Sequence, residues 1–307
     1  MTGPMTGPMT GPMTGPMTAG MSLALPRAGS LTDALMAPPT ETVSADELRL
    51  LRDRLAGDLA ALVEELPPGE KLRLDEFRFT QARRHPERLS VPDGPFVASP
   101  ATSRRAVGLA AVTRCLRGWA PSPGAAVAEA LAAGVEDTGA GGDPEARPPW
   151  WAGWYTGLGP GGQAMVEAEA VTWATQLWTA LEWDRVTQAV VGGADDWWDC
   201  PGTRALTLKG RADVRVRTQG RPVLLVLGSG VPPADWRTAL GFPALVPALA
   251  RGEKAVPARV VGLWPASGQV RILPVDTAAL ADTATTVICA VSTWVDARLE
   301  LRAAGAA

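Results

Sequence analysis

One histidine, one tyrosine, four phenylalanines and three cysteines are spread over 307 residues, and each scarcity removes a class of chemistry. His85 sits in the polar connector "ARRHPERL" and reads as a surface histidine, which argues against histidine-based catalysis and multi-histidine metal binding. Cys115, Cys200 and Cys289 lie far apart with no CxxC spacing, so they suggest neither a zinc site nor a disulfide framework. Reduced, mostly buried thiols are the simpler reading. No apolar run approaches the roughly 20 residues that span a bilayer, and the start lacks the basic and apolar regions of a secretory signal. A cytoplasmic protein with no membrane partner is expected. The formal net charge of −3 gives no global electrostatic case for nucleic acid, although a basic patch can hide inside an acidic total.

What the chain does have is a marked change of texture along its length. It opens on "MTGPMTGPMTGPMTGP", whose Gly and Pro oppose helix and strand, so residues 1–40 are expected to form a disordered tail. Residues 41–150 read as a helical region. In "SADELRLLRDRLAGDLAALVEEL", Ser44 and Glu47 make a capping box, and Leu48, Leu51, Leu55, Leu59, Leu62 and Leu66 fall on one stripe. "LRLDEFRF" is ambiguous; helices are expected from near Ser99 or Thr102 and after Ser122. The Gly/Pro-rich stretch Gly134 to Pro149 reads as a linker or long exposed loop.

Residues 151–307 read as an α/β domain. A long helix, about Gly162 to Trp183, has the apolar face Val166, Ala170, Trp173, Leu177 and Leu181. After "DDWWDCPG" the period changes from helical to alternating. In "TLKGRADVRVR", Ala212, Val214 and Val216 are expected to point one way, and Arg211, Asp213, Arg215 and Arg217 the other. "PVLLVL" is an unbroken apolar run suited to a strand buried on both faces. A helix to Arg251, strands "ARVVGLW" and "QVRILPV", and a closing helix from Thr277 complete the order helix, three strands, helix, strand, strand, helix.

That order, together with "LKGRADVRV" and "VLLVLGSG", resembles the RecB-type branch of the PD-(D/E)xK nuclease superfamily over about residues 160 to 305. The resemblance implies an α/β fold with a mixed central sheet flanked by helices, here preceded by a helical region. It places Asp213 at the metal-binding aspartate. It also places Val226 where a second carboxylate belongs, Gly228 where a lysine belongs, and Thr238 and Phe242 where the following helix carries Gln and Tyr. Such nucleases use clustered oxygen ligands to hold Mg²⁺ or Mn²⁺ and lower the pKa of the attacking water. Losing one such electrostatic group costs about 10²- to 10³-fold in rate. Relatives that carry an iron–sulfur cluster use four cysteines, so no such cluster is expected here.

The reading that follows is a catalytically inactive protein, with no cofactor, acting as a binding or scaffold module beside DNA or a DNA-processing protein. One alternative is an active divergent nuclease that uses Asp213, Mg²⁺ or Mn²⁺ and a relocated carboxylate, with Glu169 the residual candidate and Glu167, Asp195, Asp196 and Asp199 as further ones. A second alternative is a regulatory protein-interaction module. Arg204, Lys209, Arg211, Arg215, Arg217 and Arg221 form the candidate nucleic-acid-binding cluster, since phosphate contacts need only positive charge at suitable spacing. Most of the twelve tryptophans are expected to be core, the alternative being an exposed platform for a partner or unpaired bases.

Overall fold

The computed structural model describes residues 30–39, 43–67, 69–89, 100–116, 120–136, 150–182, 185, 194–218, 220–228 and 230–305. In chain order the elements are α1 (Ser30–Met36), α2 (Ala45–Glu64), β1 (Leu72–Leu74), α3 (Glu76–Arg84), α4 (Pro100–Leu116), α5 (Pro123–Glu136), α6 (Ala152–Thr156) and α7 (Pro160–Ala180). They continue with β2 (Ala194–Asp199), β3 (Leu206–Ala212), β4 (Val214–Val216), β5 (Val223–Leu227), α8 (Trp236–Arg251), β6 (Arg259–Trp264), β7 (Gln269–Pro274) and α9 (Thr277–Ala303).

The fold is mixed α/β with two mixed sheets. One has the order β1-β3-β2, with β1 parallel and β2 antiparallel to β3. The other has the order β4-β5-β6-β7, in which only β5 and β6 are parallel. The expected buried strand is β5. Leu224 and Val226 face a core built with α2, α3, α8 and α9, while Val223, Leu225 and Leu227 face a second core built with α1, α4 and α7. Helices therefore cover both faces of the four-stranded sheet. A third, purely helical core joins α4, α5, α6 and α7.

Local chemistry accounts for the helix starts. The Ser44 hydroxyl accepts from the Glu47 N–H, the Asp75 carboxylate from Arg78, and the Asp276 carboxylate from Ala279, satisfying donors that a first turn leaves open. The ambiguous "LRLDEFRF" divides at Asp75, the cap that ends β1 and starts α3. Helix α9 is long and apolar enough by composition to cross a membrane, but Leu280, Ala284, Val287, Val291, Trp294 and Val295 belong to the core against α2 and α8.

Three expectations change. The tail boundary at residue 40 lies too late: Ser30–Met36 is a helix, with Leu31 and Leu35 fully buried. The Arg259 guanidinium donates to the carbonyls of Ala34, Ala37 and Pro38, satisfying acceptors at and beyond the end of α1. The MTGP repeats and residues 137–149 of the expected linker lie outside the described residues. Second, "DDWWD" does not precede the strands of this region but is itself part of one, β2, paired antiparallel to β3. Third, Ala212 does not share a face with Val214 and Val216. Ala212 joins the core under α8, whereas Val214 and Val216 join the core under α1 and α7. The strand breaks at Asp213, which belongs to neither ladder, and the alternation changes phase there.

Candidate functional site

Asp213 occupies the break between β3 and β4, and its side chain is almost fully buried. Its Oδ2 accepts the backbone N–H of Leu227 at 2.6 Å, tying the break to the last residue of β5. From α4, Arg105 places Nη2 at 2.5 Å from the Leu227 carbonyl oxygen and at 3.8 Å from Asp213 Oδ2. Burial pushes the Asp213 carboxyl up; the charge of Arg105, the Leu227 N–H and Arg211 oppose the rise. Asp213 is thus a capping group that already has a cation.

The positions opposite it carry no replacement chemistry. Val226 is half-buried against the core beneath α8, where a carboxylate would be desolvated. At Gly228 a Cβ would collide with Trp264 Nε1, and at Gly262 one would come 2.5 Å from the far end of the same indole. The ring of Trp264 lies across two glycines on neighbouring strand positions. Phe242 is fully buried and stacks on Phe79 with centroids 4.6 Å apart, fastening α3 to α8. Thr238 lies in the first turn of α8, where its N–H bonds the Asp235 carbonyl.

Of the proposed substitutes for the missing carboxylate, Glu169, Asp195, Asp196 and Asp199 have cation or hydroxyl partners of their own. Glu169 lies 3.8 Å from Arg104, so α4 presents adjacent arginines to the two candidate acids, and Glu167 is exposed. Asp195 pairs with Lys209 at 2.6 Å, and Asp199 accepts from the Thr207 hydroxyl at 2.7 Å. Asp196 is buried between Arg215 at 2.8 Å and Arg251 at 2.5 Å. Glu76, absent from every candidate drawn from the sequence, reaches β3 at Arg211, two residues before Asp213. Its Oε1 accepts the Arg211 N–H, and burial pushes its carboxyl up to about 7, with Asp75 and Asp213 adding to the rise against the N–H groups of Glu76 and Arg211. A first-turn glutamate after a capping aspartate is the signal the sequence offers; its destination, across the chain at β3, is not.

The basic cluster is dispersed. Arg204, Arg211 and Arg217 are exposed, Lys209 and Arg215 are engaged with carboxylates, and Arg221 donates to the Val275 carbonyl oxygen. Arg215 faces the interior beneath α8, a consequence of the change of phase at Asp213. Among the tryptophans, Trp151, Trp173, Trp198, Trp264 and Trp294 are buried, while Trp150 and Trp197 are exposed.

Chemically, Asp213, Val226, Gly228 and Trp264 do not form a cage of hard oxygen donors, and they do not fit Mg²⁺ or Mn²⁺. Among the described residues no group of three or more His, Cys, Asp or Glu side chains is placed to hold a metal ion. Compared with known proteins, the chain matches no protein-family model and no curated protein at a significant level.

Proposed function

We propose that the chain is a RecB-like PD-(D/E)xK protein without nuclease activity that works as a nucleic-acid-associated binding or scaffold module. The observation that carries the reading is the guanidinium of Arg105 on Asp213 and Leu227. In a nuclease of this kind a divalent cation neutralises the aspartate and charges the attacking water. Here a fixed side chain supplies the neutralising charge and offers no open coordination position, which is compatible with structure and not with hydrolysis. Trp264 over Gly228 adds a second obstacle, because the position of the missing lysine is covered by an indole.

Incubating the purified protein with Mg²⁺ or Mn²⁺ and linear, circular and single-stranded DNA is expected to give no cleavage. Cleavage abolished by Asp213→Ala would overturn the reading. Glu76 favours a second reading, a divergent nuclease with a relocated carboxylate: burial pushes both the Glu76 and the Asp213 carboxyl up, and a bound cation would oppose both rises. Cleavage lost in both Asp213→Ala and Glu76→Gln would establish it.

A further inference from the structure

The outer face of the β1-β3-β2 sheet is open to solvent. Its inward residues, Leu72, Leu74, Leu206, Leu208 and Trp198, are buried, whereas Arg73, Asp195, Trp197, Asp199 and Arg211 are exposed. On its edge strand β2, Trp197 is 44% exposed. Arg73 Cζ on β1 lies 4.3 Å from the indole centroid, and Lys209 Nζ on β3, the cross-strand partner of Trp197, lies 4.9 Å from it. Cations delivered by the two other strands of the sheet therefore lie over one aromatic ring. Beside this strip α3 presents Phe77, 75% exposed, next to the Glu76 whose carboxylate holds the backbone of Arg211.

We propose that this face binds single-stranded nucleic acid, with a base stacked at Trp197 and its neighbouring phosphates meeting the exposed Arg73 and Arg211. The proposal rests on the nucleic-acid reading above and names its surface. Charge complementarity favours it: on a chain of net charge −3, once Lys209 and Asp195 are set aside as a pair, the strip has Arg73 and Arg211 against Asp199. Asp195 is already bound to Lys209 and Asp199 to Thr207. An exposed aromatic flanked by cations on an open sheet meets the two needs of an unpaired strand, a π-face for the base and positive charge for the backbone. A duplex keeps its bases stacked and offers Trp197 none.

The test is fluorescence anisotropy of a labelled 15-residue oligothymidylate and of a duplex of equal length, at low salt, with the full chain. The oligothymidylate is expected to bind more tightly than the duplex. Trp197→Ala is expected to weaken it roughly tenfold or more, the scale of one lost base stack, while Trp197→Phe retains most of the affinity. Arg73→Glu, at an exposed position that leaves the core intact, is expected to weaken binding and flatten the log-log salt slope by about 0.7. Binding unchanged in both Trp197→Ala and Arg73→Glu would remove this surface and leave the nucleic-acid reading standing. No association with either oligonucleotide would remove both. A glutamate-rich peptide that binds in place of the oligonucleotide, and is lost in Trp197→Ala, would overturn the proposal in favour of a protein partner.

Discussion

Arg105, half-exposed on α4, reaches the buried Asp213 from a distant part of the chain, the guanidinium Nη2 lying 3.8 Å from the carboxylate and 2.5 Å from the carbonyl oxygen of Leu227. Together they close the gap where one strand ends and the next begins. Removing Arg105 leaves the buried Asp213 carboxylate without its cation.

Asp213→Asn keeps an acceptor for the Leu227 N–H, whereas Asp213→Ala orphans a buried donor, a loss of about 1–3 kcal/mol. Urea unfolding is expected to rank wild type, then Asn, then Ala. Arg105→Gln should destabilise wild type more than it destabilises the Asp213→Asn variant, because only the former leaves a buried charge alone. Equal effects in both backgrounds would show that the pair is not coupled.

The absence of a side chain at Gly228 is required by the indole above it. Gly228→Ala is expected to cost about 1–3 kcal/mol through overpacking, and to cost less when made in a Trp264→Ala background, which is itself destabilised by loss of the buried indole. Restoring the missing motif as Val226→Glu with Gly228→Lys should give an unstable protein rather than a nuclease. A Gly228→Ala variant as stable as wild type in urea would show that Trp264 moves aside freely.

Glu76 makes stability depend on pH in an unusual direction. Its folded pKa, about 7, lies above the ordinary 4.5. The stabilisation from the protonated carboxyl is therefore fully present below about 4.5 and is lost as pH rises through about 7. Glu76→Gln keeps the acceptor for Arg211 and cannot ionise. Its melting temperature relative to wild type should be unchanged near pH 4, climb between the two values, and level off above pH 7. A flat difference across that range would place Glu76 in water.

Helix α1 should behave as part of the core. Leu35→Ala is expected to cost about 2–5 kcal/mol, as for other fully buried leucines, and deletion through residue 39 should cost more because Leu31 and the partners of Arg259 go with it. Deleting Met1 to Gly20 is expected to leave the melting temperature unchanged. An unchanged melting temperature after the longer deletion would show that α1 is not docked.

Much of the architecture is legible in the sequence because its signals are local. The Ser44 cap, the leucine stripe of α2, the apolar run of β5 and the alternation of β3 each follow from neighbours a few residues apart, although the Glu47 carboxylate of the expected capping box accepts from Thr277. The site is less legible because its decisive contacts are not local. Nothing near Gly228 announces Trp264 on the adjoining strand, and nothing near Asp213 announces Arg105 or Glu76. Arg215 departs from expectation for a different reason: a period of two, continued through Asp213, assigns it to the wrong face of the sheet.

That break has a consequence for chain length. On either side of Asp213 the strand obeys its own alternation, and the two phases differ by one residue, as when a β-bulge adds one residue to a count that would otherwise run on. Asp213 is in this sense supernumerary. A chain lacking it would carry Ala212 into Val214 as ordinary neighbours on opposite faces, with every other side chain of both strands still on its present side. The residue that the resemblance singles out for chemistry is therefore the one that the sheet's geometry could omit, and its retention serves the Leu227 amide and Arg105 rather than the pleat.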